Sequence, residues 1–179
     1  MLVVAALVPD TALLVPGVAG DADVYLDLRR AALAAVTHVV AADVGTVVVV
    51  APGPRSRELS GTVRPSLGPA GVPDDLLAWP VTPVLLPGAG EDRPGVPAAV
   101  ALHLLAHAGR RRGLRVLEVT GRESSDDLAA AGRGLVADGP TGLVVVGSGS
   151  GRHGPDAPLA DDPRSPEHDA RLLADLADA

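Results

Sequence analysis

The chain has 179 residues and a formal net charge of −7, and it is 47% hydrophobic although Tyr25 and Trp79 are its only aromatics. That length suits one domain with a sizeable core, and the acidic balance argues against non-specific nucleic-acid binding, which needs clustered basic charge. With no cysteine there is no disulfide framework, no thiolate metal site and no thiol nucleophile.

All 15 basic residues are arginine, and isoleucine and phenylalanine are missing, so the core must be valine, leucine and alanine. This reads as a coding bias toward GC-rich codons. The apolar start, Leu2 to Val8, has no basic segment before it, and Pro9 and Asp10 interrupt it. It falls well short of the ~20 residues of a membrane span. The expectation is a cytoplasmic protein with no membrane association.

In chain order, uniformly apolar Leu2–Val8 predicts a central strand of a parallel sheet, covered on both faces. Residues 24–42 carry apolar positions at helical spacing, with Asp21 or Asp23 as a cap. Thr46–Ala51 is a second buried strand. Residues 52–97 hold ten prolines, which disfavour long helices; short strands are expected near Thr62–Val63 and at Val81–Leu86. Pro97–Arg111 reads as a helix, with Arg110, Arg111 and Arg112 at its charged C-terminal end. Leu114–Thr120 is a third strand. A capped helix runs from Ser124 to about Ala137, Thr141–Val146 is a fourth strand, and Glu167–Ala177 a last helix. Strands alternating with helices predict a single α/β domain over residues 1–179, three-layered around a mostly parallel sheet.

Chemistry is expected past strand ends, where α/β folds collect ligands. The loop Gly147-Ser148-Gly149-Ser150-Gly151 follows the fourth strand and offers backbone N–H groups to a phosphate. It lacks the lysine of a P-loop and leads into prolines instead of straight into a helix. His103 and His107 share a helix face without a glutamate between them, which suits partly exposed surface histidines, and His38 is given no role. His153 and His168 flank the loop after the fourth strand and suit general acid–base work. Asp10, past the first strand, can join a histidine around a hard cation.

Three stretches carry a family resemblance. The opening Ala5-Ala6-Leu7-Val8-Pro9-Asp10-Thr11-Ala12-Leu13-Leu14-Val15-Pro16-Gly17 resembles the start of the subunit-B-like class III extradiol ring-cleavage dioxygenases, and is nearest their small actinobacterial branch. Gly147-Ser148-Gly149-Ser150-Gly151-Arg152 is similar to that branch's glycine-aspartate-glycine-serine-alanine-arginine motif. Pro166-Glu167-His168-Asp169 is similar to a later stretch. The resemblance implies the dioxygenase subunit-B-like fold, Fe(II) held by two histidines and a glutamate, a further histidine as acid/base, and paired subunits.

Carried over residue by residue, the first histidine ligand falls at Asp10 and the second falls in Ala51-Pro52-Gly53-Pro54, which has no ligand. The motif's aspartate is Ser148, the glutamate ligand lies beyond residue 179, and His153 stands in for the acid/base. The expectation is a degenerate, non-catalytic relative with no cofactor, holding a small ligand or a partner near Ser148, Gly149, Ser150 and Arg152, with a homodimer implied by analogy. One alternative is a working oxygenase with Fe(II) or another divalent metal at a site rearranged around Asp10, His153 and His168. Another is a phosphate- or nucleotide-binding module built on Gly147–Gly151.

Overall fold

A computed structural model describes residues 1–20, 24–155 and 159–177. They fall into two compact units, Met1–Gly147 and Ser148–Ala179. The first holds β1 (Leu2–Val8), α1 (Leu26–Ala41), β2 (Thr46–Pro52), β3 (Arg57–Glu58), β4 (Thr62–Val63), β5 (Val84–Leu85), α2 (Val96–His107), β6 (Leu114–Val119), α3 (Ser125–Leu135) and β7 (Thr141–Val146). The second holds α4 (Ser165–Ala177).

The main sheet has the order β1-β7-β2-β6-β3. Its first four strands are parallel and the two-residue β3 is antiparallel. Helices flank this sheet, so the expected α/β class with a mostly parallel sheet holds. Strand register divides the side chains between two faces with different fates. Val4, Ala6 and Val8 align with Gly142, Val144 and Val146, then with Val47 and Val49, then with Leu114 and Val116. This face packs under α1 and α2 and supplies much of the core. On the opposite face Val3, Ala5 and Leu7 remain exposed, and α3, beside Val48 and Leu143, contributes no buried residue.

The first strand is therefore not central. β1 is an edge strand with one face covered, and the central places go to β7 and β2. An unbroken apolar run fits a doubly covered strand, but composition alone does not exclude an edge. The expected caps Asp21 and Asp23 lie outside the described residues. α1 starts after Tyr25, which makes no side-chain capping bond.

The region 53–95 is tied down by a polar cluster. Glu118, on β6, faces the core side in line with Val116 and is fully buried. Its carboxylate accepts from Arg57 Nε at 2.8 Å and from the Gly95 N–H at 2.6 Å, and Gly95 is the residue capping α2. The acid thus sits at the positive end of a helix that has no side-chain cap of its own. Arg57 also donates to Asp92 and to the Arg93 carbonyl, and Asp92 accepts from the Ser60 N–H and hydroxyl. These bonds raise the β4–β5 ribbon (Thr62 opposite Leu85) into place without a long helix, as the prolines require.

The helix expected over 97–111 stops at His107, so Arg110 does not end it. After Gly109 turns with φ +90°, Arg110 donates to the carbonyls of Val44 and Gly45. His103 is buried, not partly exposed: its ring pairs with the Pro65 carbonyl at 2.8 Å, and burial pushes its pKa down. His107 stacks on Trp79 with ring centroids 4.3 Å apart. His103 packs against the 53–95 region, while His107 is exposed at the end of α2, as expected. No described helix is long and apolar enough to cross a membrane.

Candidate functional site

The second unit gathers most of the residues singled out in the sequence. The loop after β7 folds back on itself: the Leu159 N–H donates to the Gly151 carbonyl and the Asp162 N–H to the Arg152 carbonyl. α4 then begins at Ser165, a residue only 4% exposed, whose hydroxyl lies 2.8 Å from that of Ser150. A helix start is thus brought to the glycine-serine loop by the chain's return, although the two are separated by prolines in sequence.

Asp169, one turn into α4, organises the loop. Its Oδ1 accepts from the Ser150 N–H at 2.7 Å, and its Oδ2 lies 2.7 Å from Nδ1 of His153. A Cβ at Gly149 would come within 2.9 Å of Oδ1, so that position must stay bare for the carboxylate to reach the loop. The Ser150 N–H first, then the His153 ring, hold the Asp169 carboxyl below the usual carboxylate range. With the carboxylate accepting from Nδ1–H, the Nε2 of His153 is left as the proton acceptor. This is the arrangement that fixes the tautomer of an acid–base histidine.

Beside this pair is a surface recess of about 320 Å³ lined by Ser150, Arg152, Asp162, Arg164, Ser165 and His168. Arg152 donates to the Ala160 carbonyl, and Arg164 makes a two-point contact with Asp162 at 2.6 and 3.0 Å. The structure therefore places Ser150, Arg152 and His168 around one recess, and Gly149 and His153 against Asp169. Ser148 opens the same unit. Asp10 belongs to the first unit, after β1. There residues 13–20 bend around Arg29, whose Nε donates to the Leu14 carbonyl at 2.8 Å, and border a recess of about 470 Å³.

Sequence reasoning missed Asp169, Ser165 and Glu118. Asp169 stood in a quoted stretch but was assigned no role; its signal was a carboxylate one helical step from His168 and a loop rich enough in glycine to admit it. Glu118 was legible as the one acid in the inward-facing alternation Leu114, Val116, Glu118.

The iron-ligand set implied by the resemblance does not fit these residues. The segment after β2, where the second histidine ligand would fall, is closed by Glu118: a Cβ on Gly53 would lie 2.7 Å from the Glu118 Cβ. Among the described residues, no group of three or more His, Asp or Glu side chains is gathered where it could hold a metal ion. No protein-family model matches the chain, nor does any curated protein or solved structure. Fold and site together define an α/β protein with a mostly parallel sheet and an oriented histidine in the segment after its last strand.

Proposed function

We propose that this chain is a degenerate, non-catalytic relative of the class III extradiol dioxygenases that holds a small ligand at the loop after β7. The observation that carries the reading is Glu118. On β6 beside Ala51 it is committed to Arg57 and Gly95, which supports reading the segment after β2 as tied up in a buried structural ion pair and not free to supply a metal ligand. Asp10 in place of the first histidine and Ser148 in place of the motif's aspartate support the same reading. With neither histidine ligand in place, the remaining groups compete poorly with water for Fe(II). The recess past Ser150 supports the ligand-holding half: Arg152, His168 and two hydroxyls line it, and its one carboxylate, Asp162, is paired with Arg164.

The His153–Asp169 pair favours a second reading, a working metal-dependent oxygenase in which His153 serves as acid and base, because an oriented imidazole is what an acid–base step requires. Assay with Fe(II), air and catechol-type substrates separates the two. The expected result is no ring-opened product, together with a thermal shift by dihydroxybenzoates that Arg152→Ala abolishes. Turnover lost in His153→Ala establishes the second reading instead. A shift by inorganic phosphate alone favours the phosphate-module alternative, and no shift by any probe removes the ligand.

A further inference from the structure

The two faces of the main sheet are closed differently. On the core side, α2 buries every residue from Ala98 to Leu105. On the other side, α3 buries none. Between α3 and the sheet is a cavity of about 340 Å³, with Val48, Val50 and Leu143 on its sheet side and Ala129 and Gly132 on its helix side.

The hollow has a cause in the sequence. Ala129 and Gly132 are three apart on α3 and share a face, so the helix turns its smallest side chains toward the sheet. Glycine weakens a helix interior. Nothing around Gly132 demands it: the residue is not among the glycines with positive φ, and an added Cβ would meet nothing within 4 Å. What the glycine preserves is the space. Apart from Thr141 and Arg133, every lining residue is apolar or glycine. The Thr141 hydroxyl already donates to the Gly139 carbonyl at 3.0 Å. Arg133 is exposed and makes no hydrogen bond or ion pair among the described residues, and no carboxylate lines the cavity. Water is a poor occupant, because it needs about two to four polar partners and the walls do not supply them.

We propose that this cavity binds a small amphiphilic anion, a short aliphatic chain ending in one carboxylate. The chain lies over Val48, Val50 and Leu143, and the carboxylate meets Arg133 at the rim. Size limits the class. Small-molecule sites span roughly 300–1,000 Å³, and this one is at the low end, with room for one short chain and none for a two-chain lipid. It shares no residue with the recess beside Ser150.

Titration of the full chain with octanoate, and with 1-octanol as its uncharged counterpart, tests this by methyl NMR. The expected result is saturable shifts at the methyl groups of Val48, Val50 and Leu143, with one octanoate bound per chain. Arg133→Ala should weaken octanoate about three- to fivefold, the effect of an exposed ion pair, and leave octanol unchanged. Gly132→Leu fills the hollow and should abolish the shifts from both ligands. Leucine favours a helix over glycine, so the thermal midpoint of this variant should equal or exceed that of the wild type. Ala129→Leu fills the same space from the preceding turn and gives an independent second variant. Absence of saturable shifts with octanoate overturns the proposal. So does octanoate binding that Gly132→Leu and Ala129→Leu both leave intact, since the ligand would then sit elsewhere. Equal octanoate affinity in Arg133→Ala and the wild type overturns the assignment of an anionic ligand.

Discussion

Glu118→Ala should be the most damaging single substitution in the first unit, costing about 3–5 kcal/mol, the usual penalty for breaking a buried ion pair. The loss has three sources. Arg57 stays behind with its side chain only 18% exposed and its strongest partner gone. The Gly95 N–H at the start of α2 loses its acceptor. The void opens beneath Gly53, where no side chain is available to fill it. Replacing both members, Glu118→Met with Arg57→Met, should recover part of the loss, because a buried pair exchanged for apolar side chains is often neutral. Urea unfolding of the two variants and the wild type measures this. A Glu118→Ala midpoint equal to that of the wild type would mean the cluster does not hold the 53–95 region to the sheet.

Gly61→Ala should be nearly as severe. Gly61 has φ +69°, and a Cβ there would lie 1.8 Å from the Gly90 carbonyl oxygen, a backbone atom with no rotamer to yield. The same residue donates its N–H to Pro87 and accepts from Leu86, so its backbone has little room to shift. A left-handed alanine and an overpacked contact together amount to ~2–5 kcal/mol. The measured quantity is again the unfolding midpoint. Gly71→Ala provides the comparison, because it has φ +79° but open space around it, and should lose only the conformational part. Equal losses at the two sites would mean the close approach of the ribbon's two sides contributes nothing.

Periodicity and turn residues located the regular elements well because each carries its own signal. Thr141–Val146 ends in three valines stopped by Gly147, and Leu114–Val119 is a short, mostly apolar run between Gly113 and Gly121. What they could not give is order in the sheet. The valine-rich strands β1 and β2 look alike in sequence, yet β1 sits at the edge and β2 inside, and that choice depends on helix crossovers and not on local composition. β3 was invisible because two residues carry no period. At the candidate site, His153, His168, Ser150 and Arg152 were legible as polar residues past a strand. Their arrangement was not, because it hangs on Asp169, which reaches the loop only after the chain has turned back through residues 151–164. Likewise, the helix missing directly after the glycine-serine loop is supplied from a distance by α4.

Iron stoichiometry tests the central claim most directly. The chain would be dialysed anaerobically against Fe(II), its bound metal counted, and Asp10→Ala treated in parallel. The account predicts no tightly held iron in either protein. One Fe(II) per chain in the wild type, and above all one that Asp10→Ala removes, would contradict it and favour the working oxygenase.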